Sequence, residues 1–596
     1  MIFLNKHGRT AVPDGTTDAY GADGAMPVSQ ACGYTEGGAY GSPEFGPFDY
    51  FFREAPDLPH SPGTTARLDA LADAMVEQDP EEADDSRIPP VITYLGQFID
   101  HDITANTDRE VGLSVIDVPE VAPMDRATVV QGIGNLRAGA LNLDSLYGGG
   151  PIQGPFSERM AEALRFPPDR AKLWVGTLSE TGFGSVPLPN DPAGDLLRLG
   201  RILREPHRVF TEDEIKALPA PLREMFVNAD GTLRIQRAII GDPRNDENLA
   251  LSQLHLAFVR FHNRVVDEAG QHLADTHDRE AVFAWARRMV TWVYQWIVLH
   301  EYLPTICDPD TVADVMARGA PLYSAFRARV QAPRPDLMPM PLEFSVAAFR
   351  FGHSMVRATY DWNRFFGRAV PGITPFTPGA TMAQLFEFTG GAPVPMPLPD
   401  ASGSTDRLPT QWPVEWDRFA RPVTQAFPDR AARRIDTLLA LPLSDLANEG
   451  EPGILRHLAR RNLRRGHRLN IPSAQACLEG VNGLLGADMP MLTVDDLCSH
   501  PATGEALRAG GFVSATPLWF YVLKEAEILG SGGRLGPLGS RLVAETLVGL
   551  AVHDPTSFWN QAGSDANGRW HPQDGVRPTG APIIGIAGLL HAAGVL

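Results

Sequence analysis

The stretch PPVITYLGQFIDHDI, residues 89–103, combines a clear helical pattern with a dense group of ionisable side chains. Its apolar residues Ile92, Leu95, Ile99 and Ile103 recur every three to four positions, which predicts an amphipathic α-helix. Proline is tolerated in the first turn of a helix, so the two prolines at the start agree with this prediction. The stretch therefore predicts a helix whose apolar stripe contributes to the core of the protein.

The polar side chains of this predicted helix fall on two faces. Gln97, Asp100 and His101 stand at positions i, i+3 and i+4 and share one face, whereas Asp102 is turned about 100° away from His101. One helix could therefore serve two sites. A solvated helix face or a hydrogen-bonded core histidine would explain the same residues, so a reactive site requires partners elsewhere in the chain.

Composition limits the classes of function. The chain has 596 residues, of which 43% are hydrophobic, so it can bury a large core. A formal net charge of -20 without a concentrated Lys/Arg run argues against a nucleic-acid or anionic-membrane partner. Cys32, Cys307, Cys477 and Cys498 lie far apart and form no CxxC pair, which argues against a zinc cluster or a dense disulfide framework.

The sequence also bears on location. No stretch of about 20 uninterrupted apolar residues is long enough to span a bilayer, and the N-terminal apolar run is too short for a secretory signal. We expect a soluble protein, either cytoplasmic or exported without a visible signal peptide. The compartment and the oligomeric state stay open, with a monomer favoured.

The chain divides into two unequal parts. Residues 1–87 are rich in Gly, Pro and acids and show little periodicity, which predicts an irregular N-terminal arm. Residues 88–596 predict one large, mainly α domain with long irregular connections and little β structure. Proline-rich stretches at 332–341 and 391–413 are typical of such connections.

Several further stretches repeat the helical period. The clearest begins with Asp242 as N-cap and Pro243 in the first turn, and we expect one continuous helix from there. The predicted helical stretches are GDPRNDENLALSQLHLAFVRFHNRVVDE (241–268), REAVFAWARRMVTWVYQWIVLHEYLPTI (279–306), LEFSVAAFRFGHSMV (342–356), HLARRNLRRGHRLNIPSAQA (457–476), where a helix runs into a turn, and a buried final helix in APIIGIAGLLHAAGVL (581–596).

Two of these helices carry candidate site residues. Arg244 and Glu247 are three residues apart near a helix start, so a cation and a carboxylate project from the same end, although an ordinary ion pair is the alternative. His353 lies in the apolar run AFRFGHSMV, which suits axial ligation of a haem iron. Arg350, three residues earlier, is placed to hold a haem propionate.

In chain order, the motifs GQFIDHD, LNLDSLYGGGP, GDPRNDEN, FRFGHSMV and NLRRG together resemble the animal-type haem peroxidases of the peroxidase-cyclooxygenase superfamily, particularly its bacterial members. The resemblance extends from about residue 88 to the C-terminus. It implies a haem b cofactor and reduction of hydrogen peroxide through an iron-oxo haem intermediate. A small reductant (halide, thiocyanate, phenol or other organic donor) would then be oxidised.

The resemblance assigns roles to the histidines. His101 would be the distal histidine that shuttles a proton between the two peroxide oxygens, and His353 would be the proximal iron ligand. Arg244 would stabilise the charge that develops on the departing oxygen, and Gln97 would orient water, peroxide or a small anion.

Other residues match family positions around the haem. Asn462 matches the asparagine that hydrogen-bonds the proximal histidine, and Arg465 matches an arginine near the propionates. Asp100 and Glu247 match two carboxylates that become ester-linked to haem methyl groups in many mammalian members. Asn248 stands where one mammalian member has a methionine, which excludes the corresponding sulfonium link.

The resemblance also implies a calcium site on the second helix face. Asp102 would be a ligand together with Asn142 and Asp144 and the backbone carbonyl of Ala140. Ala138 replaces a threonine ligand of the family, and Asn142 replaces an aspartate. The site is thus less charged than in the family and would bind calcium weakly or be lost.

Two rival functions differ from a peroxidase. Fatty-acid dioxygenases of the superfamily use a tyrosine three residues before the proximal histidine, a position that is Arg350 here, and they lack the Gln97-to-Asp102 pattern. A haem-binding or adhesive protein with little turnover would not need His101, Arg244 and Gln97 together. The resemblance therefore favours a peroxidase, and its natural reductant stays open.

Overall fold

A computed structural model of the protein describes a chain that is mainly α-helical. The residues that it describes are 3–5, 10–12, 45–78, 85–105, 115–149, 155–179, 191, 193–206, 208–218, 220–369, 374–390, 407–446, 449 and 453–596.

The described α-helices vary from one turn to five turns. They are α1 Thr64–Ala74, α2 Pro90–Ile103, α3 Arg126–Gly132, α4 Asp144–Tyr147, α5 Pro155–Ala163, α6 Leu199–Arg204, α7 Glu212–Lys216, α8 Ala220–Phe226, α9 Leu249–Asp267, α10 Ala269–His272, α11 Arg279–Ile297, α12 Leu303–Ile306, α13 Pro309–Arg318, α14 Pro321–Arg329, α15 Met382–Phe386, α16 Leu458–Arg468, α17 Ala474–Leu485, α18 Val494–Leu497, α19 Pro501–Gly510, α20 Leu518–Leu529, α21 Pro537–His553 and α22 Ile586–Ala592.

Other helical turns are tighter or wider than an α-helix. The 3₁₀ turns are Pro243–Asp246, Ala348–His353, Trp416–Arg418, Leu441–Ser444, Ile454–Arg456, Phe558–Asn560 and Pro572–Asp574, and the π turns are Val298–Tyr302 and Glu343–Ala347.

The described strands are short, and they agree with the prediction of little β structure. They are β1 Phe3–Asn5, β2 Thr10–Val12, β3 Gly46–Asp49, β4 Gly134–Asn135, β5 Met340–Pro341, β6 Thr359–Tyr360 and β7 Ala380–Thr381. Strands β1 and β2 pair with each other, as do β6 and β7, in antiparallel fashion. Strand β3 lies between β4, to which it is antiparallel, and β5, to which it is parallel.

Three long helices form the part of the core next to the site. Phe98 on α2 stacks on Phe258 on α9 with ring centroids 4.7 Å apart, and Tyr294 on α11 meets both rings edge-on. Such aromatic pairs contribute about 0.5–1.5 kcal/mol each beyond their area burial. The predicted stripe of α2 is confirmed, because Ile92, Leu95, Ile99 and Ile103 are all buried.

The far end of α2 is anchored by strand β4. The Asn135 side chain donates to the Ile103 carbonyl at 2.8 Å and accepts the Ala105 N–H at 2.9 Å. These bonds satisfy backbone groups that a helix terminus leaves unpaired. The segment that carries His101 is thereby held against the small sheet.

The prediction of an irregular arm is wrong for residues 64–74, which form α1. Leu68 and Leu71 of α1 are buried, and Asp69 accepts the Arg464 guanidinium of α16 at 2.7 Å and 2.5 Å. Leu68 and Leu71 are three positions apart, as in a helix, but the Gly- and Pro-rich sequence around them hid this helical signal. Residues 13–44 and 79–84 lie outside the described residues, and a domain boundary at residue 87 stays a prediction.

The continuous helix predicted from Asp242 is also wrong. Asp242 caps only the 3₁₀ turn Pro243–Asp246, and Asn248 caps the separate helix α9 by accepting the Leu251 N–H at 2.9 Å. Two capping side chains six residues apart end one helical turn and begin another. Arg244 and Glu247 therefore belong to a turn that enters the site, rather than to a regular helix.

The stretch 342–356 is helical, but it is not an α-helix. It runs as the π turn Glu343–Ala347 followed by the 3₁₀ turn Ala348–His353. Such departures are frequent at functional sites because they re-aim side chains. The other long prediction, over 279–306, is confirmed as α11, a π turn and α12.

The end of the chain agrees with its prediction. Helix α22 forms over Ile586–Ala592, and Leu589 and Leu590 are fully buried. Among the described helices, none is both long and apolar enough to cross a membrane. The described cysteines, Cys307, Cys477 and Cys498, are buried and free.

Candidate active site

A central cavity of about 300 Å³ lies between α2, the turn at 243–246, the segment 342–356, α15 and α16. Ligand pockets of proteins begin at about this volume. The residues predicted to serve catalysis or haem binding all line this cavity, namely Gln97, Asp100, His101, Arg244, Glu247, Arg350, His353, Asn462 and Arg465. The fold thus brings together residues that are up to several hundred positions apart, while their roles stay predictions.

His101 is buried, with 6% of its surface exposed. Its Nδ1 lies 2.9 Å from Oδ1 of Asn245, and its Nε2 lies 3.9 Å from Oε2 of Glu247. Burial and the nearby Arg244 guanidinium lower the pKa of His101, although the carboxylates of Glu247, Asp242 and Asp100 oppose this shift. The lowered pKa favours the neutral imidazole, which can take up a proton.

Arg244 is held rigidly at the edge of the cavity. Its guanidinium forms a salt bridge of 2.7 Å with Asp242 and donates to the carbonyls of His101 and Thr104 at 3.0 Å and 2.8 Å. Asp242 is also paired with the buried Arg137. Burial alone would raise the pKa of Asp242, but Arg244 and Arg137 hold it well below its usual range. The salt bridge of Arg244 within this turn is thus formed with Asp242.

Gln97 and Glu247 contact each other inside the cavity. The Gln97 amide donates to Oε2 of Glu247 at 3.2 Å, and its oxygen accepts the Asn248 amide at 3.2 Å. Gln97 is therefore oriented by the turn that follows Arg244. Its amide and the Nε2 of His101 approach the same carboxylate oxygen.

His353 has surroundings of a different kind. Its Nδ1 lies 2.9 Å from the Asn462 amide of α16. Burial lowers the pKa of His353 to about 3, and the positive charges of Arg350, Arg461 and Arg465 add to the shift. A neutral imidazole is the form that ligates a metal. Rotation of the Asn462 amide by 180° places its oxygen at this distance, where it accepts the Nδ1 proton when Nε2 binds a metal.

The arginines near His353 form a positive wall. Arg350 donates to the Ser345 carbonyl at 3.0 Å, and Arg461 is paired with Glu449 at 2.8 Å. Arg465 is buried on the next turn of α16. The wall offers charge for carboxylate groups of a ligand, because arginine binds carboxylates in bidentate geometry.

Asp100 and Asp102 diverge as the helical spacing predicts. Asp100 lines the cavity, and its Oδ1 accepts the Thr104 hydroxyl at 2.9 Å. Asp102 is fully buried away from the cavity, where it accepts the backbone N–H groups of Leu143 and Ser145, both at 3.1 Å. One helix therefore serves two separate environments.

The loop beside Asp102 contains the predicted calcium ligands. Burial and the nearby Asp144 raise the pKa of Asp102 to about 7. Asn142 accepts the Asp144 N–H at 3.2 Å, and Oδ2 of Asp144 is buried without a hydrogen-bond partner among the described residues. Ala140 is buried in the same loop. Within the described residues, no cluster of three or more His, Cys, Asp or Glu side chains forms a metal-binding group.

Sequence reasoning missed several residues of the site. Asn245 bonds the His101 ring, Asp242 holds Arg244, and Arg461 adds to the positive wall. Asn245 and Asp242 lie within the quoted motif GDPRNDEN, so the polar residues of this motif indicated that they could belong to the site. Their partners could not be assigned without the tertiary structure.

Part of the chain is similar to a known family of proteins. Residues 210–373 match the family model described as animal haem peroxidase. This region of the chain is similar to animal haem peroxidases. The matched region includes the Arg244 turn and His353.

Curated relatives match shorter parts of the chain. A peroxidase-like protein of Margaritifera margaritifera is 29% identical over 284 residues, which are 47% of this chain and 33% of that protein. A chorion peroxidase of Aedes aegypti is 33% identical over 133 residues, which are 22% of this chain and 16% of that protein. The chain thus spans no more than about a third of the length of these relatives.

A solved structure supports the fold alone. Peroxidase A from Dictyostelium discoideum superimposes with a TM-score of 0.50 at 18% sequence identity, covering 86% of this chain and 88% of that chain. The chain therefore shares the fold of that structure.

Proposed function

We propose that this protein is a haem peroxidase that reduces hydrogen peroxide and oxidises a small reductant. One observation carries the proposal. Two histidines from separate elements, His101 and His353, line one cavity, and each is bonded at Nδ1 by a buried asparagine. A binding protein would need only one of them.

The cavity residues fit haem. His353 is neutral and faces the cavity, as an iron ligand must, while Arg350 and Arg465 offer positive charge for propionate groups. Apolar side chains such as Phe349, Val346 and Leu385 line the remaining wall. When bound, haem would supply an iron that binds peroxide and stores the oxidising equivalents.

The chain's own residues would manage the protons. His101 would take a proton at Nε2 from the peroxide oxygen nearer the iron and return it to the outer oxygen, which then leaves as water. Arg244 would stabilise negative charge on the departing oxygen, because its position is held by Asp242 and two carbonyls. Gln97 would orient the incoming peroxide.

The test compares two histidine variants. In His101→Ala, we expect the peroxide-dependent Soret change and phenol oxidation to slow by about 10²–10⁴-fold, the range that general acid–base groups contribute. The exposed His591 provides the matched control, His591→Ala, which should match wild type. A His101→Ala protein as fast as wild type would contradict the proposal.

Ester links to haem belong to the same proposal. Asp100 and Glu247 both line the cavity. Each bond would join a carboxylate oxygen to a haem methyl carbon, with hydrogen peroxide as the two-electron oxidant. After peroxide treatment, the denatured protein is extracted with acidic organic solvent. Haem should remain bound to the wild-type polypeptide and should be released from an Asp100→Asn, Glu247→Gln double variant. Full release from wild type would exclude the esters.

Calcium is a further part of the proposal. The buried, unpaired Oδ2 of Asp144 and its proximity to Asp102 favour a cation at this loop. Asn142 and the Ala140 carbonyl would complete the ligand set. With only two carboxylates, the site would bind calcium weakly.

A bacterial source stays a prediction from the resemblance.

A further inference from the structure

Asn245 lies between two buried imidazoles. Its Oδ1 is 2.9 Å from Nδ1 of His101, and its Nδ2 is 3.0 Å from Nδ1 of His255 on α9. Asn245 is fully buried, and only 1% of His255 is exposed. No proton-transfer step proposed above uses Asn245 or His255, yet both belong to a continuous chain of hydrogen bonds that ends at His101.

The chemistry of an amide assigns the protons in this chain. An amide oxygen only accepts hydrogen bonds and an amide nitrogen only donates them. His101 must therefore donate from Nδ1–H, which leaves Nε2 with a free lone pair. His255 must accept at Nδ1 and carry its own proton at Nε2.

In this orientation, the N–H of the Asn245 amide is satisfied by His255. Rotation of the Asn245 amide by 180° would reverse both bonds and place a proton on Nε2 of His101, where it would block proton uptake. Burial lowers the pKa of His255 to about 3, so this ring stays neutral and keeps a lone pair for the amide. The ring is packed near Phe98, with centroids 6.2 Å apart.

We propose that Asn245, supported by His255, is a positioning residue that holds His101 in the Nδ1–H tautomer, so that Nε2 is the atom that exchanges protons. This inference rests on the proposed function of His101. Around Nε2, Glu247 lies 3.9 Å away, and Arg244, Asp242 and Asp100 supply the other nearby charges. The tautomer follows from the hydrogen bonds and not from these charges.

Cyanide binding tests the inference without turnover. Hydrogen cyanide must lose its proton to bind ferric haem, and a free Nε2 of His101 can accept that proton. Asn245→Leu has a similar shape but no acceptor, whereas Asn245→Asp keeps an acceptor for Nδ1–H. At one fixed pH, we expect cyanide association to slow by about 100-fold in Asn245→Leu and by less than about tenfold in Asn245→Asp.

Two further variants keep the test decisive if Asn245→Leu does not fold. His255→Phe removes the acceptor behind the amide, and we expect a slowing of roughly fivefold, the effect of one lost neutral hydrogen bond. Ser252→Ala alters a buried hydroxyl on α9 that bonds the Leu249 carbonyl, and it should bind cyanide as wild type does.

The tautomer can also be read directly. In haem-free protein labelled with ¹⁵N-histidine, long-range ¹H–¹⁵N spectra should show His101 protonated at Nδ1, with the resonance assigned through His101→Ala. A signal for protonation at Nε2 would overturn the inference.

The cyanide measurements distinguish an error in the role of Asn245 from an error in the proposed role of His101. If His101→Ala binds cyanide as fast as wild type, the proposed distal role is wrong. If His101→Ala is slow while Asn245→Leu and His255→Phe match wild type, the distal role stands and Asn245 is only structural.

Discussion

The two histidines of the cavity differ in what surrounds them. His101 shares its end of the cavity with Gln97, Arg244 and Glu247, which we call the distal group. His353 is accompanied by Arg350, Asn462 and Arg465, which we call the proximal group. The distal group holds charges of both signs, whereas the charged members of the proximal group are positive, and the nearby carboxylate of Glu449 is paired with Arg461.

This difference suits two tasks. Charges of both signs around His101 allow its imidazole to exist with and without an added proton, as a proton shuttle requires. The positive charges and burial around His353 keep its imidazole neutral, as a metal ligand requires. The same side chain is therefore directed to different chemistry by its neighbours.

The largest expected effect is on the proximal side. His353→Ala should abolish the Soret band of the haem-bound protein, because the iron would lose the protein ligand that we propose. A haem titration followed by absorbance measures this loss, and added imidazole should restore part of the band. A His353→Ala protein with the wild-type spectrum would show that the two groups have been assigned to the wrong tasks.

Arg244 tests the distal group. Arg244→Leu should slow the reaction with peroxide by about 10²–10³-fold, as expected for loss of a preorganised charge, while haem binding is retained. Stopped-flow absorbance gives the rate, and thermal melting checks that the variant stays folded while Asp242 keeps Arg137 as a partner.

Arg244→Lys is the matched control for that prediction. It keeps the charge but loses the fork that bonds Asp242, so we expect an intermediate rate. If Arg244→Leu lost haem as His353→Ala does, the separation between the two groups would fail.

Asn462 sharpens the comparison on the proximal side. Asn462→Leu removes the partner of the His353 ring, and we expect haem affinity to fall by about 10–100-fold. Asn462→Asp should instead lower the reduction potential of the haem, because a carboxylate makes the imidazole a stronger donor. Potentiometric titration separates the two outcomes, and equal potentials in wild type and Asn462→Asp would count against the hydrogen bond.

The smallest expected effect concerns the second face of α2. Saturating calcium should raise the Tm of chelator-treated protein by about 1–3 °C, because a ligand that binds only the folded state stabilises it. Asp144→Asn should remove this shift, while Asp310→Asn, on the exposed first turn of α13, should keep it. A calcium response that survives Asp144→Asn would place the cation elsewhere.

Much of the fold could be predicted because its signals are local. The stripe of α2 and the cap-and-proline pattern at Asp242 depend on residues within a few turns of one another. The same locality explains the errors. Helix α1 was hidden by the composition around it, and the second cap at Asn248 divided a segment whose period alone indicates one helix.

The candidate site shows the same division. Its histidines and arginines could be assigned from short motifs that resemble a family, and the structure places them around one cavity. Asn245, Asp242 and Arg461 could not be assigned a function in this way. Their contacts join residues that are far apart in the chain, as in the bond between His101 and Asn245.

By itself, the sequence determined the helical class, the two-faced character of α2 and the residues that face the cavity. Only the tertiary structure decided which nitrogen of His101 is tied to Asn245, which carboxylate holds Arg244 and how the segment before His353 departs from an α-helix. The physical reason is that periodicity and capping act over a few residues, whereas a tautomer or a buried ion pair depends on groups that meet only when the chain packs.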